Sequence, residues 1–162
     1  MHRHAVNRLP AGVMVRRARP GDGAQVLALV EQLGYSPEER GYDETFAQVV
    51  RHPEAAVFVA TEGPRVIGYL ALSQRPQIRL GGRAAVIDEL VVEDRRRGEG
   101  IGSALLAAAL AYAGGLGCRR VELTTRRVRE SYHRGFYLAH GFREVDSAVL
   151  RLDPLPPPVR KP

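Results

Sequence analysis

The 162-residue chain has one cysteine, one lysine and few aromatic residues, 6% of the total. Its lone Cys118 excludes an intrachain disulfide and reads as a small core residue ahead of a strand rather than a nucleophile. The single lysine, Lys161, lies far from any glycine-rich turn, which excludes a phosphate loop ending in Gly-Lys-Ser/Thr. The formal net charge of +6 rests almost wholly on arginine and attracts anions of every kind. With so few aromatics and no recognised nucleic-acid motif, charge alone makes no case for nucleic acid. Apolar runs are short and no leader-like segment opens the chain, so neither membrane nor export is expected and a cytoplasmic location follows by default. A chain of this length buries roughly two-thirds of its unfolded surface without a disulfide or metal staple. No repeat or linker divides it. One domain is expected over 13–152, with tails at 1–12 and 153–162.

What the chain does have is concentrated between Ala84 and Leu106. Ala84 to Val92 is β-branched and aliphatic, interrupted only by Asp88 and Glu89, and predicts a buried strand. From Ser103 to Tyr112 runs a block of strong helix formers with leucines spaced for one buried face. Between them lie Arg95, Arg96, Arg97, Gly98, Glu99, Gly100, Ile101 and Gly102. Glycines let backbone approach a ligand closely, and the first amides of a helix have no intrahelical partners, so this turn suits phosphate. A dinucleotide fingerprint does not fit. Ser103 takes the third glycine's place, and the next strand ends in Thr124 and Thr125 rather than an acid.

The remaining elements follow from periodicity and punctuation. Val13 to Ala18 predicts a strand. After Pro20-Gly21-Asp22-Gly23, a helix runs from Ala24 to Leu33 with Val26, Leu27, Val30 and Leu33 on its buried face. Gly34-Tyr35-Ser36-Pro37 ends it, and a second helix spans Asp43 to Arg51. Ala55 to Thr61 and Arg65 to Ser73 are strands joined at Glu62-Gly63-Pro64. Arg75 to Arg83 reads as a polar connection. Beyond the central stretch come a strand from Arg120 to Thr125, a helix from Ser131 to His140, and a strand pair from Phe142 to Leu152. This order gives a mixed α/β sheet with helices on both faces.

The run Arg95-Arg96-Arg97-Gly98-Glu99-Gly100 matches the Q/R-x-x-G-x-G/A signature of the GNAT N-acetyltransferase family. Ile87 to Val92 resembles that family's fourth strand, and Val66-Ile67-Gly68-Tyr69-Leu70 its third. The resemblance implies the acyl-CoA N-acyltransferase fold, a single-domain, mostly antiparallel sheet, with acetyl-CoA as cosubstrate and no metal. It implies that the pyrophosphate sits on Arg95 to Ser103, with Arg96 or Arg97 adding charge. Backbone groups of Leu90, Val91 and Val92 would then hold the thioester carbonyl and pantetheine. Gly68 would serve close packing.

Phe136-Tyr137-x-x-x-Gly141-Phe142 resembles the family's closing motif, in which the tyrosine faces the thioester. That makes Phe136 a cofactor neighbour and Tyr137 the acid for the departing thiolate, with His133 and His140 at helical spacing on its face. The helical pair roofs the acceptor pocket in the family, which nominates Tyr35, Tyr42 and Phe46, either for substrate or for packing. The connection after the third strand nominates Gln74, Arg75 and Gln77.

Asp88 and Glu89 are the candidates for binding or deprotonating an amine. Neighbours on a regular strand face opposite ways, so only one is expected toward the acceptor unless a bulge re-aims either. Asp88 is preferred because an acid after the strand's isoleucine resembles the amine-handling carboxylate of aminoglycoside and polyamine acetyltransferases. The expected activity is acetyl transfer to a small-molecule primary amine. Protein acetylation and a non-catalytic acyl-CoA-binding module are the alternatives. Oligomeric state is unreadable, a homodimer staying open.

Overall fold

In the computed structural model, residues 9–34 and 41–153 are described. The expected tail positions before 9 and after 153, and Tyr35, lie outside them. Contacts divide the chain into two compact units, Met1–Thr125 and Arg126–Pro162.

The first unit is a five-stranded sheet in spatial order β1 to β5: Val13–Arg17, Ala55–Glu62, Arg65–Gln77, Gly82–Val92 and Cys118–Leu123. Neighbours are antiparallel except β4 and β5, which run parallel because the helix between them returns the chain to the same end. That helix, α3 (Ile101–Gly115), packs on one face of the sheet. It begins two residues ahead of the expected Ser103, directly after Gly100. The other face carries α1 (Gly23–Gln32) and α2 (Tyr42–Arg51).

Strand alternation explains the two layers. On β2, Val57 and Val59 join Val26 and Leu29 of α1, Phe46 of α2, and Tyr69 and Val91 in one buried cluster. Phe58, between those valines, meets Tyr112 of α3 edge-on at 5.8 Å. Leu29 rather than Leu27 completes the buried face of α1, since position 29 stands one helical turn on from Val26. Gly68 lies directly beneath α3. A Cβ there would lie 3.0 Å from the Val91 carbonyl oxygen and 3.2 Å from Leu105 Cδ1, so the expected close packing is observed.

The segment expected as a polar connection after Ser73 is mostly strand. β3 continues to Gln77, Pro76 included, and β4 begins at Gly82, leaving a short turn at Ile78–Leu80. Pairing in register, Pro76 opposite Arg83, outweighs the local polarity.

The second unit holds two short helices, α4 (Glu130–His133) and α5 (Phe136–Ala139), where one was expected. Gly135 between them has φ +64°, a conformation that interrupts a right-handed helix. His133 therefore stands across a break from Tyr137, and the helical spacing assumed for the pair does not apply. The strands expected from Phe142 to Leu152 are absent among the described residues. Val145, Val149, Leu150 and Leu152 are exposed.

Candidate active site

The site is built on one irregularity of β4. Ala71 pairs with Glu89, but the next residue, Leu72, pairs with Ile87, so Asp88 is an extra residue with no cross-strand partner. This β-bulge cancels the alternation that would have sent the two carboxylates to opposite faces. Glu89 accepts a 2.8 Å hydrogen bond from the hydroxyl of Tyr69, a member of the α1/α2 cluster. Asp88 accepts one of 3.2 Å from Ser73, two residues along β3 from Ala71 and on the same face. Both acids therefore look toward the α1/α2 side.

Asp88 also lines a cavity of about 320 Å³ with His52, Glu54, Ala55, Ser73, Gln74, Arg75 and Val86. Solvent reaches its carboxyl, yet the surrounding walls remove enough water to hold its pKa above the usual carboxylate range. The Ser73 hydrogen bond and the charge of Arg75 oppose that rise without cancelling it. Tyr42 is pushed up to about 12, first by burial and then by the charge of Glu89, and stays a neutral phenol. Phe46 is buried in the cluster and stacks on Tyr42 at 6.3 Å, so packing is the role the structure gives it.

Beyond the bulge, β4 loses a neighbour. Its parallel pairing with β5 ends at Ile87 opposite Leu123, and from Asp88 to Val92 its only strand partner among the described residues is β3. The outer edge of Leu90, Val91 and Val92 thus carries backbone donors and acceptors that no strand among the described residues takes up. That edge leads into the glycine-rich turn. Gly98 and Gly100 have φ of +81° and +82°, and a Cβ on Gly98 would meet nothing within 4 Å.

The second of these glycines is the N-cap of α3, where no side chain caps the helix, and the first helical bond returns from the Ala104 amide to the Gly100 carbonyl at 3.0 Å. The amides of Ile101 and Gly102 precede that bond, in the position that binds anions at helix starts. The residues fit the polyphosphate end of a coenzyme A thioester: open space over glycine, an uncapped helix start and an unpaired strand edge in sequence.

The arginines divide their labour. Arg96 donates to Glu62 at 2.8 Å and to Glu99 at 2.9 Å, tying the turn to the end of β2, and both bonds hold its guanidinium firmly charged. Arg97 pairs with Asp94 at 2.6 Å. Arg95 is exposed.

In the second unit, Phe136 and Tyr137 open α5. Tyr137 meets Phe136 edge-on at 5.0 Å and Phe142 at 5.8 Å, and burial raises its hydroxyl pKa against a smaller lowering by Arg129. His140 lies 2.8 Å from the Phe136 carbonyl through Nδ1.

Sequence reasoning missed Ser73, His52 and Glu54 beside Asp88, and Tyr69 as the partner of Glu89. Only strand register brings them together.

Fold and site together describe an acyl-transfer enzyme with a glycine-rich turn at a helix start. The acetyltransferase (GNAT) family model matches residues 24–142, and the chain belongs to that family. It is 31% identical over 131 residues to an aminoalkylphosphonate N-acetyltransferase of Salmonella typhimurium, covering 80% of this chain and 84% of that one. An aminoglycoside N(6')-acetyltransferase type 1 of Stenotrophomonas maltophilia is 29% identical over 147 residues, covering 88% and 94%. Among solved structures, a Trypanosoma brucei acetyltransferase superposes with a TM-score of 0.74 at 27% identity, covering 87% of this chain and 99% of that one. Among the described residues no helix is long and apolar enough to cross a membrane.

Proposed function

We propose that this chain transfers the acetyl group of acetyl-CoA to the primary amine of a small molecule by direct attack on the thioester. The observation that carries the reading is β4 itself. One strand carries Asp88, which lines the cavity, with Glu89 beside it bonded to Tyr69, and a few residues on it leads into the glycine-rich turn at the start of α3.

When bound, acetyl-CoA supplies the activated acyl group. The chain's residues do the rest. Amides at the start of α3 receive the pyrophosphate, and the edge of Leu90 to Val92 aligns the pantetheine arm and carbonyl. Asp88 binds the acceptor's ammonium and takes its proton, directly or through water. The freed nitrogen forms a bond to the carbonyl carbon as the carbon–sulfur bond breaks, the thiolate leaves with the electron pair, and the nitrogen gives its remaining surplus proton to water to become the neutral amide. Tyr137 supplies the proton that the thiolate takes up. Its support is chemical: burial keeps the phenol protonated. The raised pKa of Asp88 makes it a better base than an ordinary carboxylate.

Both curated relatives are named for small amine-bearing acceptors, which favours that class over protein. The cavity agrees, since about 320 Å³ lies at the small end of ligand sites, roughly 300–1,000 Å³. The test is a coupled thiol-release assay with acetyl-CoA over a panel of amines. Release with a subset of small amines is expected. Release with no amine, or with peptides alone, would overturn the reading.

A further inference from the structure

The charges around the Asp88 cavity do not suit every amine. Two carboxylates line it, Glu54 and Asp88. Glu54 is already neutralised, accepting a 2.6 Å ion-paired hydrogen bond from Arg83, whose Nε also donates to Gln74. On the opposite sign, Arg75 lines the same cavity, is exposed, and has no hydrogen-bond or ion-pair partner among the described residues. Beside it stands His52, whose Nδ1 accepts the Glu54 amide at 3.1 Å and which therefore keeps its donor on Nε2.

What remains uncommitted is one carboxylate and one guanidinium on one wall. A polyamine or aminoglycoside would bring several cations to a cavity with a single uncommitted acid and a free arginine. A molecule with one ammonium and one acid group complements both.

We infer that the acceptor is a short zwitterion, its amine held by Asp88 and its acid group by Arg75. The inference rests on the acetyl-transfer reading above and specifies its substrate class. Register gives the scale. Asp88 bonds Ser73, and Arg75 follows two residues along β3, about 7 Å of strand. Amine and acid groups separated by two to four bonds bridge that interval with the reach of the arginine side chain. Either a carboxylate or a phosphonate satisfies a guanidinium fork, and a tetrahedral acid offers it one more oxygen.

The experiment uses the full chain with acetyl-CoA and thiol release, on four acceptor arms of matched length: ω-amino carboxylates, aminoalkylphosphonates, n-alkylamines and alkyldiamines. A charge-assisted hydrogen bond to the acid group predicts a kcat/KM about 10- to 100-fold higher for one or both acid arms than for alkylamine. Arg75→Gln should erase that preference through KM, the acid arms falling to the level of the alkylamine measured in the same variant, and Arg75→Lys should restore part of it. Its exposed, unpartnered side chain makes loss of folding no explanation. Equal rates for alkylamines or diamines in the native protein overturn the inference, as does an Arg75→Gln loss shared equally by every arm. If no amine is acetylated, the acetyl-transfer reading falls alone. Calorimetric binding of the amino acids and aminophosphonates, native against Arg75→Gln, then decides the charge pairing, and absent or unchanged affinity overturns it.

Discussion

Replacing Asp88 with asparagine removes both the charge that holds the ammonium and the base that takes its proton, and the pH profile separates the two losses. The amide keeps an oxygen for the Ser73 hydroxyl, 3.2 Å away, and almost the same volume in the cavity, so the bulge and its pairing should persist. What is lost is the negative charge and, with it, the base. An alkylammonium with the pKa of a lysine side chain, about 10.4, is unprotonated in roughly one molecule per 10³ at pH 7.4. A variant that cannot take the proton must wait for that fraction. Its kcat/KM should fall by up to ~10³ at neutral pH, about 4 kcal/mol of barrier.

The pH dependence carries the sharper test. In the native enzyme the acid limb of the profile should belong to Asp88, displaced to higher pH than an ordinary carboxylate because desolvation disfavours its charged form. In Asp88→Asn that limb disappears, and kcat/KM climbs tenfold per pH unit toward pH ~10 as free amine accumulates. The deficit against the native enzyme should therefore shrink steadily on the alkaline side. Thiol release measured from pH 6 to 10 reads both curves. A constant deficit at every pH would refute the reasoning, since it would mark Asp88 as a binding or packing residue. Native activity at neutral pH would pass the role to Glu89 or to solvent.

Gly100→Asp adds bulk and negative charge at a left-handed position where phosphate must approach, and calorimetry should find acetyl-CoA affinity abolished in a folded protein. Tyr137→Phe should reduce turnover by ~10² with acetyl-CoA affinity intact, because a thiolate with a thiol pKa near 8.5 needs modest help to leave; native turnover across the pH range would remove Tyr137 from the mechanism. Asp22, which accepts two 2.8 Å hydrogen bonds from Arg16, has its carboxyl held below the usual range first by that contact, so its stabilisation is present above the unfolded pKa of about 3.9 and lost as pH falls through the folded value. Asp22→Asn should cost ~1.5–3 kcal/mol in urea unfolding at pH 7, and the difference should narrow on acidification.

Much of the fold was legible because its signals are local. The aliphatic run of β4, the glycines before α3 and the helix formers within it occupy adjacent positions, and each constrains the next. The hairpin at Glu62-Gly63-Pro64 and the helices α1 and α2 were equally local, with ends displaced by a residue or two. What escaped depended on partners. Arg75 to Gln77 looks like a loop until Ala84 to Gly82 lies opposite it. Val145, Val149, Leu150 and Leu152 look like a strand pair, yet a strand exists only beside another, and the described part of the second unit contains none. Gly135 looked tolerable inside a helix and instead takes positive φ. For the site, residue types were legible and their neighbours were not: Arg96 reads as a phosphate ligand in sequence but is occupied by Glu62 from the far end of β2.

The bulge at Asp88 follows from the same physics that hid it. A regular β4 would turn one of two adjacent carboxylates toward α3, where Ile101, Leu105 and Leu106 are fully buried. An unpaired carboxylate there costs several kcal/mol or must be protonated. Slipping the register by one residue avoids that burial, since both acids then reach the α1/α2 side and its polar partners, Ser73 and Tyr69. A bulge also sharpens local twist, and β4 parts from β5 at the residue where the slip occurs. One extra residue therefore turns both acids to one face at the point where the pairing of β4 with β5 ends. Two adjacent acids in a strand buried on both faces were the sequence's mark of that bulge.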